Sequence, residues 1–364
     1  MTKVQPTGIG IIGCGVISEI YLKNLTSWPD VKVVAVADML MERAEQRAKQ
    51  FGVAASTVED LLVNPAIDLV LNLTIPAAHA EIGVATLNAG KAFYTEKPLA
   101  TKRADGKQLI DLAAASNLRI GGAPDTFLGG SLQTCRKLLD EGIIGEPVAA
   151  TAFFASHGPE TWHPQPEFFY LPGGGPMYDM GPYYITALVT LLGGVRRVAG
   201  SAPASFSERV VGPLHKPGRT IPVETPTHIA SVLDFASGPI ATLVTSFDVW
   251  AHDVPRIEIY GTKGTLSVPD PNNFGDPVKV RLAGESAWRD CPIEFGFTQN
   301  SRGIGLRDLA RAMRDGGPHR ADGALTYHVL DVMTAVFESS AEDRHINLES
   351  TYERPAPLTP FDGE

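Results

Sequence analysis

The sequence predicts an α/β chain in which a doubly wound parallel sheet precedes a strand-rich α+β region. Three patterns carry that reading. A short apolar run, GIGII, leads straight into a glycine turn and an amphipathic helix. Strand and helix periodicities then alternate as far as LRIGGA, the spacing that βαβ units require. From IGEPVAATAFF onward, alternating apolar and polar runs joined by Gly and Pro turns read as hairpins. The two regions are divided at 1–125 and 126–364.

The glycine turn offers two overlapping frames: Gly8-Gly10-Gly13 as a literal G-x-G-x-x-G, and Gly13-Gly15-Ser18 as an imperfect one. A phosphate-binding loop needs a buried strand before it and a helix after it, so that backbone N–H groups and the helix dipole face the anion. The first frame would be preceded by the polar MTKVQPT, which contains Pro6. The second follows GIGII and opens VISEIYLKNLTSW, where Ile17, Ile20, Tyr21 and Leu25 recur at helical spacing. The second frame is therefore the binding loop. Gly13 makes the turn, Gly15 allows close approach, and Ser18 is the small residue that lets helix and strand pack; Val16 and Ile17 belong to the same cofactor-binding loop.

VKVVAVAD is the second strand, and Asp38 ends it where a carboxylate accepts both ribose hydroxyls and repels a 2′-phosphate. Met39 and Leu40 follow rather than Arg, so NAD is favoured over NADP. The competing reading makes Asp38 a cap for a helix over 40–51, which stops at Gly52. STVE, from Ser56 to Glu59, reads as a capping box. DLVLNLT is a strand of the fully buried kind, followed by a helix over 77–88, the strand KAFYTE, a helix over 102–116 and LRIGGA. Ligands bind such sheets at the carboxyl ends of the strands, which places Thr74, Pro76, His79, Glu96 and Lys97 beside the loop in the cofactor-binding set. Pro98 keeps Lys97 extended and admits a cis bond. An ammonium at that strand end can stabilise an alkoxide forming on a substrate hydroxyl; the bland reading is a solvated lysine in an exposed turn.

Taken together, GIIGCGVIS, AVAD, EKPLA and GGGPMYDMGPYYITAL resemble the glucose–fructose oxidoreductase / inositol dehydrogenase (Gfo/Idh/MocA) family over nearly the whole chain. The resemblance implies an N-terminal Rossmann domain and a C-terminal domain with a large, open, mostly antiparallel sheet. It implies an NAD(P)-dependent dehydrogenase or reductase of sugars, polyols or sugar acids, acting at a secondary hydroxyl. It also implies a homo-oligomer, dimer or tetramer. In the family pattern, the aspartate of D-x-G and the residue four later line the substrate pocket opposite the lysine. Here those are Asp179 and Tyr183, so Lys97, Asp179 and Tyr183 form the expected catalytic set. The later residue is most often a histidine; tyrosine departs from that, and its reference pKa of about 10 calls for a neighbouring cation such as Lys97.

In the second region a helix is expected from Ser131, and another from near Asp179, with Pro182 in its first turn and Asp179 and Tyr183 on one face. The competing readings make Asp179 a cap and Tyr183 or Tyr184 core aromatics. HIASVLDFASGPIATLVTSFDVW and RIEIYGTKGTLSV read as hairpins, residues 202–226 as a long loop, 305–314 and 324–340 as helices, and HINL as a last strand. His157, Trp162 and His163 precede the glycines as residues that grip sugar rings and hydroxyls, with His163 the alternative base. His157, Glu160 and His163 match no zinc spacing, and no metal is expected.

Composition excludes other classes. Lys and Arg number 31 against 41 Asp and Glu, interleaved, for a net charge of −10, which argues against a nucleic-acid or membrane partner. MTKVQPTG has no signal-peptide core, and no apolar run approaches the roughly 18 residues of a membrane helix. Three separated cysteines without C-x-x-C suit a reduced, cytoplasmic compartment. Two further functions fit the same motifs: an NAD-dependent glycosidase or eliminase that recycles its hydride, and a non-catalytic NAD-binding regulator.

Overall fold

The structure is a computed structural model and describes residues 5–212 and 218–359. Compactness divides the chain into two units: residues up to Leu128 together with Gln299–Leu330, and Gly129–Thr298 together with the residues from Asp331 on.

The first unit runs β1 (Thr7–Ile12), α1 (Ser18–Leu25), β2 (Val31–Ala37), α2 (Met41–Phe51), β3 (Ala54–Ser56), α3 (Val58–Val63), β4 (Leu69–Asn72), α4 (His79–Asn88), β5 (Ala92–Thr95), α5 (Arg103–Ala115) and β6 (Ile120–Gly122). The strands form one parallel sheet in the order β3-β2-β1-β4-β5-β6, so the winding reverses between β1 and β4. Crevices for ligands open at the carboxyl ends of strands at such a reversal. Every residue of β1, β4 and β5 is buried, which explains why these strands read as continuous apolar runs rather than alternating ones. Apolar helix faces close the sheet: Leu61 of α3 packs with Ile12, Ala35 and Val70, and Leu109 of α5 with Phe93 and Ile120. The capping box is one residue out of register. Ser56 ends β3, and it is Thr57 whose hydroxyl accepts the N–H of Asp60 at 3.1 Å.

The remaining elements are α6 (Gly130–Asp140), β7 (Pro147–Ala155), α7 (Gly175–Asp179), α8 (Gly181–Leu192), β8 (Val195–Ser201), β9 (Glu208–Val210), β10 (Thr220–Pro222), β11 (His228–Phe235), β12 (Ile240–Ser246), β13 (Ile257–Gly261), β14 (Gly264–Val268), β15 (Val278–Leu282), β16 (Arg289–Cys291), α9 (Ile304–Asp315), α10 (Gly323–Glu342) and β17 (Ile346–Asn347). Nine strands build one sheet in the order β16-β15-β14-β13-β7-β12-β11-β8-β17. Its pairs are antiparallel apart from β7 with β12. Within 202–226, expected as loop, β9 and β10 pair as a small ribbon; residues 213–217 lie outside the described residues.

Two differences from the sequence reading have local causes. The helix expected near Asp179 is two helices: α7 ends at Asp179, Met180 forms the joint, and Pro182 falls in the first turn of α8. Asp179 and Tyr183 therefore flank a break instead of sharing one continuous helical face. Helix α9 belongs to the first unit, which a single cut at 125/126 leaves on the other side. Arg307 and Arg311 of α9 donate to Asp30 at 2.8 and 2.6 Å, and Asp125 accepts the N–H groups of Gly303 and Gly305 at 2.8 and 3.0 Å. No helix among the described residues is long and apolar enough to cross a membrane.

Candidate functional site

The glycine loop leaves β1 at Gly13, whose φ of +104° is left-handed territory. A Cβ there would lie 2.5 Å from the Leu73 carbonyl carbon, so the turn and the neighbouring strand both demand glycine. Gly15 differs: a Cβ on it would meet no protein atom within 4 Å. The fold itself imposes no glycine at Gly15; it leaves room that a pyrophosphate can enter. Gly8 and Gly10 lie inside β1, where a Cβ would strike the Ala66 carbonyl or the Leu61 side chain, so the literal frame is a packing feature. Ser18 is fully buried and its hydroxyl donates to the Gly15 carbonyl at 2.6 Å.

Asp38 ties the loop to the segment ahead of α2. Its Oδ2 accepts the Cys14 N–H of the loop at 2.8 Å, and its Oδ1 accepts the Leu40 N–H ahead of α2 at 2.9 Å. A carboxylate has about four acceptor sites, so lone pairs remain for two ribose hydroxyls. Burial, with the Asp38 charge beside it, pushes the Cys14 thiol up to about 11, which makes it a thiol and no nucleophile. Three contributors to the loop's surroundings were missed by sequence reasoning. Arg47 reaches from α2 to donate to the Gly15 carbonyl at 3.3 Å. Met39, just past β2, and Ile75, just past β4, stand 93% and 62% exposed at strands that flank β1, and Val16 of the loop is 86% exposed, as apolar cover for planar rings would be. The signal for Met39 was present, since an apolar residue just after the ribose acid has no core to join.

At the end of β5, Glu96 and Lys97 sit in the expected place, but Glu96 turns inward. It is 8% exposed; its Oε1 accepts the Tyr21 hydroxyl at 2.7 Å and its Oε2 the Lys97 N–H at 3.0 Å. The Lys97–Pro98 peptide is cis. His79 corrects the cofactor set. It is fully buried, with Nδ1 2.6 Å from the Pro98 carbonyl oxygen and Nε2 3.1 Å from that of Thr74. Burial lowers its pKa, so the neutral ring has one N–H, which the shorter contact places on Nδ1. His79 thus fixes the segment after Lys97 and presents nothing to a cofactor. Thr74 donates through its hydroxyl to Asn72 Oδ1 at 2.8 Å, and Pro76 opens a short 3₁₀ turn.

In the second unit, Tyr183 is 7% exposed in the first turn of α8, while its neighbour Tyr184 is fully buried, 6.1 Å from the Phe154 ring. Both tyrosines are buried, Tyr184 completely. Gly175, at φ +80°, passes so close to Pro226 that a Cβ would lie 2.7 Å from its carbonyl oxygen. His157 stacks on Trp250 at 3.2 Å between ring centres, and Trp162 stands exposed edge-on to His163. His163 Nδ1 accepts the Gln165 N–H at 3.1 Å, so its neutral ring carries the proton on Nε2 and donates there. A neutral His163 so bonded has no lone pair on Nε2 with which to take a proton.

Beneath this loop lies a charge network that no local pattern announced. Arg209 donates to Glu160 at 2.9 Å, to Asp248 at 3.0 Å, and to the His157 and Phe247 carbonyls at 2.6 and 2.9 Å. Tyr170 donates to the other Glu160 oxygen. Glu160 is the counter-ion of a buried arginine. No group of three or more His, Cys, Asp or Glu among the described residues is placed to hold a metal.

A glycine loop, a carboxylate past the second strand and a strand-end lysine on one parallel sheet fit an NAD-binding oxidoreductase domain. The comparisons extend this to the whole chain. Residues 7–121 match the oxidoreductase family described by its NAD-binding Rossmann fold, and 132–267 match the GFO/IDH/MocA C-terminal domain. The chain belongs to the Gfo/Idh/MocA family of NAD-binding oxidoreductases. It is 25% identical over 351 residues to myo-inositol 2-dehydrogenase of Thermotoga maritima, covering 94% of this chain and 98% of that one. It is 24% identical over 316 residues to trans-1,2-dihydrobenzene-1,2-diol dehydrogenase of Bos taurus, covering 84% and 87%. Among solved structures, levoglucosan dehydrogenase in complex with NADH and levoglucosan superposes with a TM-score of 0.81 at 21% identity, over 95% of this chain and 100% of that one. Aldose-aldose oxidoreductase from Caulobacter crescentus gives a TM-score of 0.81 at 20% identity, over 94% and 100%.

Proposed function

We propose that this chain is an NAD-dependent dehydrogenase of a secondary hydroxyl on a sugar, polyol or sugar acid, running in reverse as a ketone reductase. The observation that carries the reading is the setting of Lys97. It leaves the same carboxyl edge of the sheet as Gly13–Ser18 and Asp38, and side chains fix the backbone on both sides of it. The relatives' names, myo-inositol and dihydrodiol dehydrogenases, support a polyol-like substrate.

NAD supplies the hydride acceptor. Gly13, Gly15, Val16 and Ile17 hold its pyrophosphate side, Asp38 its adenosine ribose, with Thr74 and Pro76 at the next strand end. Tyr183 takes the proton of the substrate hydroxyl, Lys97 stabilises the developing alkoxide by its charge, and Asp179 orients the substrate. His157 and Trp162 grip the ring. The compartment is cytoplasmic, where Cys14, Cys135 and Cys291 stay reduced.

The test is nicotinamide absorbance across a panel of sugars, polyols and sugar acids with NAD and with NADP, run beside Lys97→Ala. The expected result is NADH from one substrate group and a loss of about 10²- to 10⁴-fold in the variant, with NADH binding by fluorescence retained. Wild-type turnover in Lys97→Ala removes the assignment. Glycoside cleavage without net NADH replaces it with internal hydride recycling.

A further inference from the structure

We propose that Tyr21 is a positioning residue for Lys97, acting through the Glu96 carboxylate; this rests on the catalytic reading of Lys97 given above. A residue just past the end of a strand has left the ladder that ordered the strand. The Glu96 N–H still donates to the Asn72 carbonyl at 2.9 Å, as part of that ladder. The Lys97 N–H instead donates to the carboxylate of the residue before it, at 3.0 Å. That bond orders Lys97 only while the Glu96 side chain is itself fixed. The group that fixes it is the Tyr21 hydroxyl, 2.7 Å from the other carboxylate oxygen.

The chemistry of the pair makes the link firm. Glu96 is buried, and a buried carboxylate short of a donor is costly, so each of its bonds is strongly retained. Tyr21 is fully buried beside Glu96, Asp125 and Tyr94, all of which favour the neutral phenol, so it remains a donor. Tyr21 belongs to α1, the helix that starts at Ser18, whose own hydroxyl donates to Gly15 of the glycine loop at 2.6 Å. One chain of bonded groups thus joins the cofactor loop, α1, Tyr21, Glu96 and the Lys97 backbone. His79 secures the far side of Lys97 independently, through the Pro98 carbonyl.

Tyr21→Phe removes one oxygen from this chain and keeps the ring in place. With the panel polyol that yields NADH fastest, kcat falls about 10- to 100-fold, as sub-ångström misplacement of a reacting group does. The substrate KM and NADH affinity stay within twofold. In the Lys97→Ala background the same change adds no further loss, because its effect passes through Lys97. Amide hydrogen exchange reads the geometry without any substrate: in Tyr21→Phe the Lys97 amide exchanges at least tenfold faster while the Glu96 amide keeps its wild-type rate. Wild-type kcat in Tyr21→Phe beside an inactive Lys97→Ala overturns this inference alone. Equal acceleration of both amides, or a full further loss in the Lys97→Ala background, overturns it as well, since Tyr21 then acts on the fold at large. An active Lys97→Ala overturns this inference together with the reading beneath it.

Discussion

Asp38 holds a structural place, and the proposed function gives it a second role in selecting the cofactor. Its bonds to the N–H groups of Cys14 and Leu40 set the loop beside the start of α2, and in the proposed function the charge faces the adenosine ribose. Asp38→Asn can keep one backbone acceptor but loses the charge. Charge-assisted hydrogen bonds contribute about 1.5–3 kcal/mol each, so NADH binding weakens about 10- to 100-fold. NADPH binding strengthens relative to NADH, because the repulsion against a 2′-phosphate is gone. Fluorescence titration with both cofactors measures the ratio; equal weakening of the two shows that Asp38 serves only the loop. At this scale legibility follows sequence distance. Gly13, Gly15 and Asp38 were readable because a turn and the end of the next strand fix their spacing. The bond between Tyr21 and Glu96 spans 75 positions and that between Arg209 and Glu160 spans 49, and no local pattern encodes either. His79 shows a related limit: it opens α4, and its direction depends on the Pro98 carbonyl that the fold brings to it.

Among elements, the attachment of α9 to β6 has a pH dependence built in. The Asp125 carboxylate, just past β6, is fully buried and accepts two N–H groups at the start of α9. Burial outweighs those bonds and pushes its pKa up from 3.8 to about 6. The folded chain therefore binds this proton more tightly than the unfolded one. Its contribution favours folding below pH 4 and is lost as pH rises through about 6, a swing of about 3 kcal/mol at most. Asp125→Asn can still accept from Gly303 and Gly305 without titrating. Urea unfolding from pH 4 to 7 is expected to show the variant gaining on the wild type as pH rises; parallel curves would falsify the assignment. The same elements show what periodicity encodes. The β/α alternation was legible because each strand and helix buries one recognisable pattern. The break at Met180 was not, because Pro182 suits the first turn of a new helix as well as it suits the start of a longer one. The membership of α9 depends on Asp30, Arg307 and Asp125, which are far apart in sequence.

The nine-stranded sheet raises a question that belongs to the molecule as a whole. Registered pairs such as Ile240 with Ala149, Val244 with Phe153 and Val232 with Thr242 place their side chains on a common face at the centre of the sheet. Val232 and Ile240 are 38% and 52% exposed there, and Ala149, Thr151, Phe153 and Val244 are half-buried. The face also carries charge: Glu258 of β13 stands opposite Thr151 and accepts the Tyr260 hydroxyl at 2.9 Å, Asp234 stands opposite Ile240 and pairs with Arg197, and Lys279, Arg281 and Arg289 lie near the far edge. Exposed apolar side chains such as Val232 and Ile240 at the centre of a sheet are a liability on an isolated chain, and a second copy of the same face covers them with a two-fold-related interface. We propose that the chain is a homo-oligomer built through this face. A specific interface buries about 1,600 Å², which a central patch on five or so strands can supply. Light scattering of the wild type at micromolar concentration is expected to give a multiple of the single-chain mass. Val232→Lys with Val244→Lys sets four like charges against one another across a two-fold contact and shifts the mass to that of one chain, with circular dichroism unchanged. A wild type that scatters as one chain, or a double variant that stays assembled, sinks the assignment of this face, and the second outcome moves the contact to another surface.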